Sequence, residues 1–281
     1  MSFGTVAVVL CAALLHAIWN ALVKRGGDRL LALASVSFVG LLMAVVLIPW
    51  VRPPHQLSWV FLGVSVVLHA GYHFFLLQSY RFGDLSHVYP LARGMAPLLV
   101  AGGAALLADE WLSRPATVGV LLACVGIISL AFENGRPWKN DSRPLVYSMG
   151  TSGFIAAYTV MDGMGVRASA SPLGYICWLF LLDGLILTLF ALWRRRMATW
   201  SFLQTEWRIY IVGGIAATSA YGLVIYVMSF GALAIVSALR ETSVIFAALI
   251  GMLMLGERFS IRRIVAAVLV ACGVAVMHFL G

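Results

Sequence analysis

Two arginines, Arg93 and Arg240, stand inside stretches of the chain apolar and long enough to cross a bilayer. A charged side chain at the centre of a hydrocarbon core costs at least ~2.5–3.5 kcal/mol, so it persists where it faces a cavity or a partner. A guanidinium fork matches carboxylate, phosphate or phosphonate groups in bidentate geometry. The chemistry expected of the pair is recognition of a small organic anion or zwitterion. The plainer alternative is that the arginines neutralise Glu241, Asp183 or helix-end carbonyls and hold the protein together. Each arginine belongs to a short polar block, Tyr89-Pro90-Leu91-Ala92-Arg93-Gly94 and Ser237-Ala238-Leu239-Arg240-Glu241-Thr242-Ser243. Tyr89, Glu241 and Ser243 are counted with the arginines as substrate-binding candidates.

Glu241 is also the first candidate for a coupling carboxylate. As the neighbour of Arg240 on a helix it would point about 100° away from it. Asp183, in Leu181-Leu182-Asp183-Gly184, and His69 are further proton-coupling candidates, while Asp162 is expected at the membrane interface. His69 and His73 are spaced i, i+4, which suits a metal. They lack the glutamate of an HExxH motif and an evident third ligand, so no metal is expected and His73 is assigned to a cavity wall. His16, Trp19 and Asn20 share a helix face, read as cavity-lining, with helix packing as the alternative. Glu110 and Glu257 are read as caps of the helix that follows each, with Ser113 and Ser260 as N-cap residues. Pro90 and Pro97 predict a bend beside Arg93. The four cysteines show no ligand or redox spacing and read as small core residues. No Walker motif and no recognised catalytic motif is present, so neither nucleotide hydrolysis, a cofactor nor an enzyme is expected.

The elements that hold these residues follow from composition. The chain has 281 residues, 62% hydrophobic and only 11% charged, with a mean hydropathy of +0.97. A soluble domain is about a quarter charged, so much of this surface must meet lipid. A net charge of +8 could suggest nucleic acid, but the basic residues sit in short loops between apolar segments, where they set membrane orientation. No cleavable signal is expected: the first apolar segment is too long and lacks a basic lead. Ten segments are long enough to span as helices: 3–23, 30–50, 57–79, 85–107, 115–132, 145–166, 172–193, 208–230, 232–255 and 261–280. Sliding the chain by 147 residues brings Arg93 onto Arg240, Glu110 onto Glu257, Ser113 onto Ser260 and Gly126 onto Gly273. A shift of 139 brings Trp19-Asn20 onto Tyr158-Thr159, which adds Tyr158 to the binding candidates. The expected organisation is a first repeat over 1–134, a connecting loop over 135–144 and a second repeat over 145–281. Five helices per half is an odd number, so the halves enter the membrane from opposite sides, the inverted repeat of many carriers.

Let the N-terminus mark side A. Fourteen of the 19 lysines and arginines then fall at side B, and only Arg52, Arg114 and Arg167 at side A. By the positive-inside rule side B is cytoplasmic and both termini face outward.

In the order and spacing of its motifs the chain resembles EamA-type members of the drug/metabolite transporter superfamily. The matching residues are His16-Ala17-Ile18-Trp19-Asn20-Ala21-Leu22-Val23-Lys24, Val88-Tyr89-Pro90-Leu91-Ala92-Arg93-Gly94, Arg240-Glu241-Thr242-Ser243 and Gly256-Glu257-Arg258. The resemblance covers essentially the whole chain. It implies an all-α integral membrane fold of ten helices, two inverted five-helix repeats around a central cavity lined by the first, third and fourth helices of each half. Members are drawn with both ends in the cytoplasm, a point on which the loop charges depart. The resemblance implies a transporter and names no substrate, since substrates across the family are diverse. The expectation is a secondary active carrier in a bacterial inner membrane, working as a monomer with a dimer as the alternative. Its partners are a small solute and membrane lipid, not nucleic acid. The alternatives are a flippase for a lipid phosphate, an exporter of lipophilic drugs and, from another class, an intramembrane enzyme.

Overall fold

The structure is a computed structural model describing residues 2–23, 28–133, 141–255 and 260–280, with no side chain described for Val23, Leu85, 197–206 and 251–255. The readings placed on Lys24, Arg25, Arg136, Lys139, Gly256, Glu257 and Arg258, and most of the connecting loop, lie outside the described residues.

Among the described residues the chain forms eleven α-helices and no strand: α1 Phe3–Val23, α2 Arg29–Leu47, α3 Ser58–Phe82, α4 Leu85–Leu107, α5 Arg114–Leu130, α6 Arg143–Ala168, α7 Pro172–Arg195, α8 Met197–Met228, α9 Leu233–Arg240, α10 Ser243–Leu255 and α11 Ile261–Phe279. Their starts are written locally. Asp28 caps α2 by accepting from the Leu30 and Leu31 amides. Ser171 caps α7, and Pro115, Pro144 and Pro172 open α5, α6 and α7, where a missing N–H costs nothing. Pro90 and Pro97 lie within α4, which stays one helix through both.

Eight of the described segments are at least 18 residues long and apolar enough to span a membrane, with α9 and α10 counted as one segment. The other two crossings are α5, 17 residues long, and α6. α6 buries Ser148, Thr151, Ser152, Thr159 and Asp162, so its polarity is hidden by neighbours rather than offered to lipid. Large apolar side chains such as Val67, Leu106, Leu189 and Val268 are exposed. Only lipid can cover a belt of that kind. The chain is an integral, multi-pass membrane protein.

Contacts between helix ends sort into two sides. At side A the His55 amide donates to the Ser169 carbonyl, Ser171 Oγ to the Arg52 carbonyl, and Arg167 meets Glu110. At side B Arg29 donates to the Tyr80 carbonyl, Arg195 pairs with Asp28, and Arg263 with Glu133. This is the grouping that ten alternating crossings require. Packing follows a pseudo-twofold exchange of the halves: α1 lies on α8 as α3 lies on α6, while α2·α7 and α5·α11 are self-paired.

The α5–α11 crossing shows the exchange at atomic level. A Cβ on Gly273 would sit 2.5 Å from the Gly119 carbonyl oxygen, and one on Gly126 would sit 3.0 Å from that of Ala266. Gly119 and Ala266 are themselves 147 residues apart, as are Gly126 and Gly273. Ser113 and Ser260 cap the two helices alike, accepting from the Ala116 and Arg263 amides. Because backbone meets backbone, Gly273→Ala must push the helices apart. The expected loss is about 1–3 kcal/mol, read as a lower melting temperature in detergent. Gly63→Ala, where a new Cβ meets nothing within 4 Å, is expected to leave it unchanged.

Candidate functional site

The ninth span, expected as one segment over 232–255, is two pieces. α9 ends at Arg240, and Glu241-Thr242 turn into α10 through short-range bonds: Glu241 N to Ala238 O, Thr242 N to Leu239 O, Val244 N to Glu241 O and Ile245 N to Thr242 O. These are i→i−3 bonds, the tighter 3₁₀ pattern that often marks a functional point within a helix. No proline or glycine occupies Arg240–Ser243.

That turn holds the charged centre. Glu241 is fully buried, and its carboxylate accepts from Arg93 Nε at 3.0 Å and lies 3.5 Å from Arg240 Nε. The expectation that neighbours Arg240 and Glu241 point apart is corrected: their side chains approach to 3.5 Å. The plainer reading of the arginines, that they neutralise Glu241, therefore describes a contact that exists. It leaves capacity unused. Arg93 Nη2, Arg240 Nη2 and Glu241 Oε1 are buried without a hydrogen-bond partner among the described residues. Two guanidiniums against one carboxylate leave a surplus positive charge.

Two cavities meet at this centre. A vestibule of about 550 Å³ is lined from α1, α3 and α4 by His16, Asn20, Tyr72, Tyr89 and Arg93, and by residues of α10 and α11. Its rim carries Arg29, Tyr80, Asp84, Glu133 and Arg263, all at side B. A deeper chamber of about 130 Å³ is lined by His69, His73, Arg93, Tyr158, Asp183 and Arg240, among others. His16, Trp19, Leu33, Tyr72 and Arg93 belong to both walls. The implied lining set is present, and α2 and α7 join it through Leu33 and Phe180. Glu241 and Ser243 line neither cavity. They stand behind the wall, with Ser243 Oγ buried and without a hydrogen-bond partner among the described residues.

On the wall, Trp19 Nε1 donates to His16 Nδ1 at 3.2 Å, and Asn20 Nδ2 to the His16 carbonyl. Trp19 and Tyr158, equivalent under the repeat, both face the chamber. His69 and His73 diverge: His73 Nδ1 lies 3.7 Å from Asp183, while His69 turns toward Ser65 and stacks on Tyr158 with centroids 4.0 Å apart.

Two placements differ from the sequence reading. Asp162, expected at the interface, is fully buried. It accepts from Ser65 Oγ, from Tyr175 OH at 3.0 Å and from Tyr221 OH at 2.6 Å. Glu110, expected to cap the next helix, instead accepts from the Leu233 amide that starts α9 and pairs with Arg167. Arg167 also donates to the carbonyls of Met228 and Gly231. These bonds gather α6, α8 and α9 with the α4–α5 loop at side A, opposite the rim of the vestibule. Tyr221 went unread in the sequence. A tyrosine within an apolar stretch is a weak signal, and only the neighbouring His69 and Asp162 could have raised it.

Residues 143–279 match the model of the EamA-like transporter family. A crystal structure described only as that of a protein shares the fold, with a TM-score of 0.77 and 16% identity over 100% of this chain and 98% of that one. No curated protein matches the sequence. Residues 143–279 thus carry an EamA-like transporter domain, and the all-helical chain is consistent with an EamA-type member of the drug/metabolite transporter superfamily.

Proposed function

We propose that the protein is a secondary active carrier for a small organic anion or zwitterion, of the amino acid, phosphonate or sugar phosphate class. The observation that carries this is the surplus of guanidinium at the junction of the two cavities, with Arg93 Nη2 and Arg240 Nη2 unpartnered. A carboxylate or phosphate entering through the vestibule supplies the missing acceptors, and a bidentate pair in a buried site is among the stronger polar contacts available. The vestibule is of the size that holds a small metabolite. Tyr72, Trp19 and Phe180 offer apolar faces for the rest of the solute. Tyr89, His16, Asn20 and His73 offer hydrogen bonds, and Tyr158 offers both. Ser243 supports the turn from behind. Alternating access then requires the side-A contacts of Arg167 and Glu110 to open as the side-B vestibule closes. In this reading side B is cytoplasmic, as its basic loops favour. The membrane is a bacterial inner membrane, one copy suffices, and no chemical conversion of the solute takes place.

The test is thermal stabilisation of the purified protein by a panel of amino acids, aminophosphonates, sugar phosphates, nucleotides and lipophilic cations. A ligand at 100 times its Kd stabilises by ~2.7 kcal/mol. Stabilisation is expected from anionic or zwitterionic solutes alone. Arg93→Ala and Arg240→Ala should each remove it, and Arg93→Lys should retain part. Stabilisation by lipophilic cations that survives both alanine variants overturns the proposal in favour of a drug exporter.

A further inference from the structure

Asp162 is a fully buried carboxyl on α6, the first helix of the second half, with no ion pair among the described residues. A charge so placed is costly unless paired or neutralised. Its contacts are hydroxyls from three other helices: Ser65 on α3, Tyr175 on α7 and Tyr221 on α8. Ser65 Oγ also lies 3.2 Å from His69 Nδ1, and that nitrogen lies 2.9 Å from the Ser65 carbonyl. A carbonyl only accepts, so Nδ1 carries a proton in this arrangement and Nε2 is the open nitrogen of the ring. His69 lines the chamber and Asp162 does not.

We propose that Ser65, His69 and Asp162 form a proton-binding site, with Asp162 as the carboxyl that holds the transported proton and His69 as its entry from the chamber. This rests on the carrier reading above and supplies its coupling ion. One proton adds to His69 Nε2. The Nδ1 proton passes to Ser65 Oγ, and the Ser65 hydroxyl proton passes to Asp162. The product is neutral Asp162 donating to Ser65, Ser65 donating to a bare Nδ1, and His69 protonated on Nε2 alone. Loading thus converts the chamber-facing nitrogen from an acceptor into a donor. It also removes one negative charge from the neighbourhood of the arginines. Both changes favour an anion, and linkage requires that the anion favour the proton equally. The expected mode is co-transport of anion and proton in one direction.

Other ionisable groups surround the site on each packed element. They are His73 on α3, Arg93 on α4, Tyr158 on α6, Asp183 and Tyr175 on α7, Tyr221 on α8 and Arg240 on α9. Tyr175 and Tyr221 hold both oxygens of the carboxylate. Tyr158 stacks on the His69 imidazole and lines the chamber with the two arginines.

The test needs no solute. Infrared difference spectra of the purified protein, mildly acidic minus mildly alkaline, are recorded with ¹⁵N-histidine spectra under the same conditions. Three results are expected: a protonated-carboxyl band in the native chain, its loss in Asp162→Asn, and a change of the His69 tautomer from Nδ1–H to Nε2–H on acidification. Asparagine keeps an acceptor for the tyrosines, so this variant should fold. Ser65→Ala removes the link between His69 and Asp162 and should lose the tautomer change. A band that persists in Asp162→Asn, no band in the native chain, or a His69 tautomer that ignores pH overturns the proposal. Failure of the anion panel leaves these spectra untouched, so the two readings fail separately.

Discussion

Glu241→Gln is expected to lower the unfolding free energy by about 3–5 kcal/mol, the scale on which breaking a buried ion pair destabilises a protein. Glutamine matches the shape of glutamate and keeps one acceptor for Arg93, so the effect isolates charge. The native centre sets one carboxylate against two guanidiniums, both buried, at 3.0 and 3.5 Å. The variant leaves two buried cations with no counter-ion. The measurement is a thermal melt in detergent without added solute. A small soluble anion that binds the native protein should then recover most of the loss, because it takes the vacated counter-charge role. A melt indistinguishable from the native one would show that the arginines are already balanced elsewhere. Recovery by anions, without recovery by neutral solutes, is the result the carrier reading requires.

Loss of the Glu110 side chain should act at the far end of α9. In Glu110→Ala the Leu233 amide loses its acceptor and Arg167 keeps only carbonyl partners. An unmet buried donor and a broken charge-assisted contact cost roughly 2 kcal/mol together, and every 1.4 kcal/mol is about tenfold in an equilibrium. The closed side-A arrangement should therefore lose about thirty-fold in population relative to an open one. The readout is thiol labelling from side A of Ser237→Cys, placed in a chain whose own cysteines are replaced. Ser237 is fully buried on α9 between the Glu110 contact and Arg240. Ser237→Cys alone should label slowly, and much faster when Glu110→Ala is added. Equal rates in the two would show that the contact supports stability without gating access.

What the sequence disclosed follows the range of each interaction. A charge in an apolar stretch is visible at one position, so Arg93 and Arg240 were legible as a site. Hydropathy counts all ten crossings even though α6 is too polar to register as an apolar span, because the repeat demands a helix there. Local caps were legible too: Ser113 and Ser260 need only the amide three residues on. The failures are long-range. Glu110 was assigned to the nearest helix start, while its acceptor role goes to Leu233, reached only once α9 packs beside the α4–α5 loop. Asp162 was placed by its distance from a helix end. Its hydroxyl donors come from three other helices, and no local pattern brings them together. The break in the ninth span was hidden because breaks are sought at proline and glycine. Here the prolines lie in the unbroken α4, and the turn falls at Arg240-Glu241-Thr242, where Glu241 meets both arginines.

That contrast sets the two halves apart. The first-half arm of the site is one continuous helix that contains two prolines, and its second-half counterpart is two helices joined by a turn that carries the buried ion pairs. If the arms were identical, a carrier could invert its repeats and arrive at an end state of equal energy. Unequal arms remove that degeneracy. For a carrier of the kind proposed, the two faces should show different half-saturation concentrations, and the rest state without solute should sit on one side of the cycle rather than midway. The side-B vestibule is open in the structure, so for such a carrier the lower half-saturation is expected at side B.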